Sequence, residues 1–80
     1  MTEYNYKKGS VHYEINQFKI NDLYQASGYA IYCTDGANPC FSKVFHTEYP
    51  TKMGVENEIK KLIQDYIDFE WSKYLDMRNI

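Results

Sequence analysis

Along residues 11–16, Val11, Tyr13 and Ile15 alternate with His12, Glu14 and Asn16, the period of two that a strand with one buried face requires. After Gln17 the phase slips to Phe18 and Ile20, as it would at a bulge or at a strand end followed by a loop through Asn21 and Asp22. Residues 27–33 and 40–46 are two further runs of strand formers. Between them lies Thr34-Asp35-Gly36-Ala37-Asn38-Pro39, in which Asp35-Gly36 is a strong hairpin signal because glycine accepts positive φ without steric cost. Pairing across that loop sets Cys33 opposite Cys40. It places Tyr29, Ile31, Val44 and His46 on one face and Ala30, Tyr32, Phe41 and Phe45 on the other. Tyr4 and Tyr6 also alternate, over too short a stretch to read as a strand, so residues 1–10 form an N-terminal segment that packs on the body or on a partner.

The period changes to 3.6 after Pro50. Thr51 is an N-cap candidate, Gly54 weakens the first turn, and residues 51–77 read as one helix. Val55, Ile59, Leu62, Ile63, Tyr66 and Phe69 share a stripe that must be buried against the strands. The stripe breaks near the end, where Glu70 and Lys73 fall on the apolar arc while Trp71 and Leu75 fall off it. The break predicts a bend after Asp68 or last turns that leave the body, in which case Trp71, Tyr74 and Leu75 form an uncovered patch. The expected architecture is an α+β domain spanning residues 1–80. It comprises the N-terminal segment 1–10, a three-stranded antiparallel sheet over 11–46 and one long C-terminal helix over 51–77 packed on one sheet face.

Eighty residues leave room for one modest core, and two cysteines allow at most one bridge, which excludes a multidomain enzyme and a disulfide framework. No apolar run approaches the roughly 20 residues that span a bilayer, and the first ten residues carry no apolar signal region, so a cytoplasmic setting is expected. In that setting Cys33 and Cys40 read as reduced thiols packed as small apolar groups. With His12 and His46 they lack the close ligand pairs of a zinc site. No phosphate loop, Ser/His/Asp set or zinc-hydrolase signature is visible, so no metal, cofactor or catalytic residue is assigned.

Nine tyrosines, four phenylalanines and one tryptophan are a large ring content, able to supply a core with polar edges or a contact surface. If one sheet face packs the helix, Tyr32, Phe41 and Phe45 need a partner, water or the N-terminal segment to cover them. Base stacking on these rings is disfavoured by nine basic residues against eleven acidic ones, since phosphate contacts carry most nucleic-acid affinity. On the outer side of the helix Glu58, Asp65 and Asp76 align, with Asp68 further round and Lys61 among them. They make either a solvated face or a carboxylate row that meets a basic groove.

Three short strands, a long amphipathic helix, a slight acidic excess and the absence of an enzyme motif resemble the small accessory proteins of bacteriophages and mobile elements, of which the anti-CRISPR proteins are best known. The resemblance covers the whole chain as size, composition and architecture, and carries over no functional residue. It implies a stoichiometric inhibitor that occupies a working surface of a host defence complex in the bacterial cytoplasm. The partner-binding candidates are Tyr32, Phe41, Phe45, Glu58, Asp65, Asp68, Trp71, Tyr74 and Asp76. The partner is a protein, in particular a basic nucleic-acid-binding enzyme or complex, with no direct binding of nucleic acid or membrane. The alternative is a homodimer of structural or regulatory role.

Overall fold

A computed structural model describes residues 1–7, 9–33 and 40–78, with helix side chains described as far as Lys73. Four strands, β1 (Thr2–Tyr6), β2 (Gly9–Ile15), β3 (Tyr24–Tyr32) and β4 (Phe41–Tyr49), precede one helix, α1 (Lys52–Arg78). The strands form an antiparallel meander in the order β1-β2-β3-β4. The fold is α+β with the C-terminal helix on an antiparallel sheet, as expected, but the sheet has four strands rather than three. The added strand is the N-terminal segment. Its five residues pair Tyr4 with Val11 and Tyr6 with Gly9 across a turn in which Lys7 takes a positive φ of 52°. Lysine is not a residue that announces such a turn, so the local pattern gave little sign of it.

The phase slip after β2 is a strand end. Asn21 and Asp22 both take positive φ, and Ile20 and Leu23 bond to each other across them, which closes a tight turn. Tyr24 to Tyr32 then pairs with Tyr49 to Phe41 along its whole length. The asparagine and aspartate accept left-handed backbone more readily than most residues. The Asp35-Gly36 turn lies outside the described residues.

Side-chain alternation divides the sheet cleanly. Val11, Tyr13, Ala26, Ala30 and Tyr32 point to the helix and are buried with Val55, Ile59, Ile63 and Ile67. Gly28 lies between Tyr13 and Phe45 in the register, and a Cβ there would sit 2.2 Å from the His12 carbonyl oxygen and 2.7 Å from the Tyr13 Cβ. The absent side chain is what lets β3 approach β2 so closely.

Thr51 caps the helix as expected, its Oγ1 accepting from the Gly54 N–H at 3.0 Å. Gly54 also receives the Tyr49 ring, which a Cβ would meet at 2.1 Å. The buried row departs from the expected stripe. Val55, Ile59, Ile63 and Ile67 recur every fourth residue, and half-buried Trp71 continues them onto the core, whereas Phe69 is 63% exposed. Each step of four advances about 40° round a helix, so the row winds about the axis and leaves any stripe drawn at fixed phase. The winding follows a diagonal course across the sheet, since Gly54 touches Tyr49 at the end of β4, Ile67 lies against Gly9 at the start of β2, and Asp68 bonds Tyr6.

Candidate functional site

The diagonal helix decides which rings are covered. Tyr32 is 1% exposed and Phe45 is half-buried, its ring centroid 5.8 Å from that of Tyr66. The division of residues between faces is as expected from the hairpin, but the helix packs on the Tyr32–Phe45 face. Tyr32 therefore cannot serve as an exposed contact ring. Phe41 stays half-exposed at the corner of β4 that the helix leaves bare.

Other tyrosines join the helix to the sheet through their polar edges. Tyr6 Oη donates to both Asp68 carboxylate oxygens at 3.1 Å, Tyr13 Oη donates to Glu56 Oε2 at 2.9 Å, and Gln64 Nε2 donates to Tyr4 Oη at 2.6 Å. Burial, then the Glu56 carboxylate, pushes the Tyr13 phenol up to about 12. Asp68 also pairs with Lys7; the lysine, then Tyr6, holds its carboxyl below the usual range. Asp68 is thus a tie between helix and β1 rather than a free member of an outer row. Glu58 is half-buried and Asp65 exposed, with exposed Lys61 on the same surface. Trp71 packs on the core, and the side chains of Tyr74, Leu75 and Asp76 lie outside those described.

The opposite sheet face carries no layer among the described residues. Register places Glu3, His12, Tyr29 and Val44 in one row across it, with Ser10, Ile31 and Ser42 on one side and Glu14, Ser27 and His46 on the other. His12 stacks on Tyr29, ring centroids 4.5 Å apart and planes 7° from parallel. Ser10 Oγ lies 2.8 Å from His12 Nε2, and His12 Nδ1 lies 3.0 Å from Glu3 Oε2. Gln25 Nε2 donates to Glu48 at 3.3 Å. At its lower end Glu14, Gln17, Phe18, Ser27 and His46 border a shallow depression of about 410 Å³. Glu3, Glu14 and Glu48 are exposed on this face, and no lysine or arginine among the described strand residues accompanies them, because Lys43 lies on the helix side, its Nζ over the Phe45 and Tyr66 rings at 5.5 and 5.4 Å.

Hydroxyl, imidazole and carboxylate in line are the order of a nucleophilic relay, a grouping that the sequence reading missed. Its signal is Ser10-x-His12 on one strand face, and it becomes visible only with the register that sets Glu3 opposite His12. Acyl transfer also needs free N–H donors aimed at an oxyanion. Ser10 lies within β2, with its backbone paired to Ile31. The group is a polar patch stacked on the Tyr29 ring.

Cys33 and Cys40 face each other as expected but are bonded, with Cα atoms 4.2 Å apart, rather than standing as reduced thiols. Neither is therefore available as a metal ligand. Among the described residues no helix is long and apolar enough to cross a membrane. Comparison with protein-family models, with curated proteins and with solved structures finds no match to the chain.

Proposed function

We propose that the chain is a non-enzymatic protein-binding protein whose contact surface is the helix-free sheet face, an acidic patch centred on rings that docks onto a basic protein surface. The observation that carries this reading is the charge of that face, where Glu3, Glu14 and Glu48 surround Tyr29, Ile31 and Val44 without a strand lysine or arginine. Carboxylates of one sign around a rigid aromatic centre steer a basic partner and give it an anchor. The same charges repel phosphate, which disfavours base stacking on Tyr29.

In the phage and mobile-element class that the sequence resembles, such a partner is a basic nucleic-acid-binding enzyme of a host defence complex, and occupancy of its working surface is inhibition. In the reducing cytoplasm where that inhibitor would act, Cys33 and Cys40 would stand as a dithiol, and strand pairing alone would hold the hairpin. The proposed contact again combines carboxylates with rings, but through other residues than those expected: Tyr32, Phe41 and Phe45 are on the helix side of the sheet, and Glu58, Asp65 and Asp68 are on the helix.

The test compares capture of host proteins by the wild-type chain, by the double variant Glu3→Lys/Glu14→Lys and by the helix variant Asp65→Lys, each verified as folded by circular dichroism. Capture is expected to be salt-sensitive, lost in the double variant and kept in Asp65→Lys. The reverse pattern would overturn the reading.

A further inference from the structure

β4 is the longer of the two edge strands. It has nine residues, no proline and no bulge in its pairing with β3. Its charged side chains are Lys43, on the helix side over the Phe45 and Tyr66 rings, and Glu48, near its end, which leaves the middle of the edge at Val44 and Phe45 without a charge of its own. The exposed apolar side chains Phe41 (50%), Val44 (77%) and Tyr49 (45%) all lie on it. β1, at the other edge, has five residues.

The direction of the unpaired backbone groups on β4 follows from the ladder. The Asn16 N–H donates to the Gln25 carbonyl at 2.8 Å, so residue 25 turns its polar backbone to β2. By alternation the even residues of β3 turn theirs to β4. Their partners are the odd residues of β4, from Phe41 to Tyr49. The short Cα separation of Cys33 and Cys40, 4.2 Å, fits the non-hydrogen-bonded position that this phase requires there. The N–H and C=O groups of Ser42, Val44, His46 and Glu48 therefore face outward along the free edge.

We infer that this edge pairs with β4 of a second copy, antiparallel about a two-fold axis at Phe45, to give one eight-stranded sheet. This register uses all four outward residues. Val44 exchanges hydrogen bonds with His46 of the second copy and Ser42 with Glu48, giving about eight backbone bonds in all. Among the residues of β4 itself, no other register of the same phase engages as many. The side chains agree with it, because Phe41 comes opposite Tyr49, Lys43 opposite Thr47 and Phe45 opposite itself, with no like charges facing. The corner left bare by the diagonal helix at Phe41 is also where Tyr49 of the other copy arrives. An isologous contact of this kind closes after two copies. Both helices then lie on one side, and the two helix-free faces join into one surface; the inference thereby extends the proposed contact face and rests on it for its use.

Two measurements test the pairing. In the wild-type chain, amide exchange at Ser42, Val44, His46 and Glu48 is expected to slow as concentration rises, while Glu3 and Asn5 at the β1 edge stay fast, and light scattering is expected to move from 9.6 kDa towards twice that mass. Val44→Pro removes an outward N–H and is expected to raise the dissociation constant at least about tenfold. A monomeric mass with fast exchange at all four amides at every concentration would overturn the pairing, as would a dimer in which those amides stay fast. If the chain is monomeric and Glu3→Lys/Glu14→Lys still abolishes capture, self-pairing fails while the binding reading stands. If the dimer forms and capture ignores those glutamates, the binding reading fails alone.

Discussion

At the β1 flank the sheet is tied to the helix. Tyr4 meets Gln64, Tyr6 and Lys7 meet Asp68, and Ile67 fills the space above Gly9. At the β4 flank Phe41, Val44 and Tyr49 are exposed, and the strand is nearly twice as long as β1. The helix packs on β4 as well, Tyr49 against Gly54 and Phe45 against Tyr66, so the two flanks differ at the outer edge and on the helix-free side rather than beneath the helix. The difference teaches that polar ties from a single helix, about 40 Å long over 27 residues, reach the β1 edge, whereas the outer side of β4, beyond the rings the helix packs on, stays open to a partner or to solvent.

The sharpest way to break this contrast is to truncate one apolar side chain on each side. Ile67→Ala, at a fully buried position facing Gly9, should cost about 3 kcal/mol, the usual range for such a cavity. Val44→Ala on β4 should cost under about 1 kcal/mol in the monomer. Urea denaturation of dilute samples measures both. Equal costs would mean that the helix-free side of β4 is packed as firmly as the core around Ile67.

Next in size is the Cys33–Cys40 bridge, the one covalent restraint on the β4 side. Closing so short a loop is worth about 2.5 kcal/mol on the chain-entropy account. Reduction should therefore lower stability by that amount, with amide protection falling first along β4 and upper β3. A uniform loss over all four strands would show instead that the flanks unfold together.

The same contrast explains what the sequence disclosed. The helix, its Thr51 cap, the β3–β4 pairing and the division of residues between faces follow from periods and turn residues, which are local properties. Which face the helix covers is not local. Tyr32 and Phe45 on one side and Tyr29 and Val44 on the other are equally apolar as patterns, and the choice rests on what the opposing helix row can fit. Small residues at Ala26, Gly28 and Ala30 make the room, and four isoleucine and valine side chains fill it. Trp71 was misplaced for a related reason, because a buried row that winds round its helix defeats an arc drawn at constant phase. The Tyr4 and Tyr6 alternation is too short to announce β1, which is held by its pairing with β2 and by ties to Gln64 and Asp68, some 60 residues away in the chain. The acidic sheet face was likewise invisible, since Glu3, Glu14 and Glu48 become neighbours only through the register.

The smallest effect concerns the tie that closes the β1 flank. Lys7, then Tyr6, depress the Asp68 carboxyl below its ordinary value of 3.8, and Asp68 in turn raises Lys7 above 10.5. A carboxyl with a lowered folded value binds fewer protons folded than unfolded in the interval between the two values. Its contribution is therefore complete above about pH 4 and is lost as pH falls through the folded value. The lysine has the opposite sign, with its contribution present below 10.5 and lost as pH rises past the raised value. Both hold across the neutral range, and because the pair is partly exposed the loss at either end is small. Thermal unfolding of the wild type should show a shallow acid slope that Asp68→Asn flattens and Asp65→Asn leaves in place. In exchange, the variant should loosen the amides of Tyr4 and Tyr6 and leave β4 unchanged. If Asp68→Asn loosened β4 as much as β1, the tie would act on the whole sheet rather than on the β1 edge, and the contrast between the two flanks would fail.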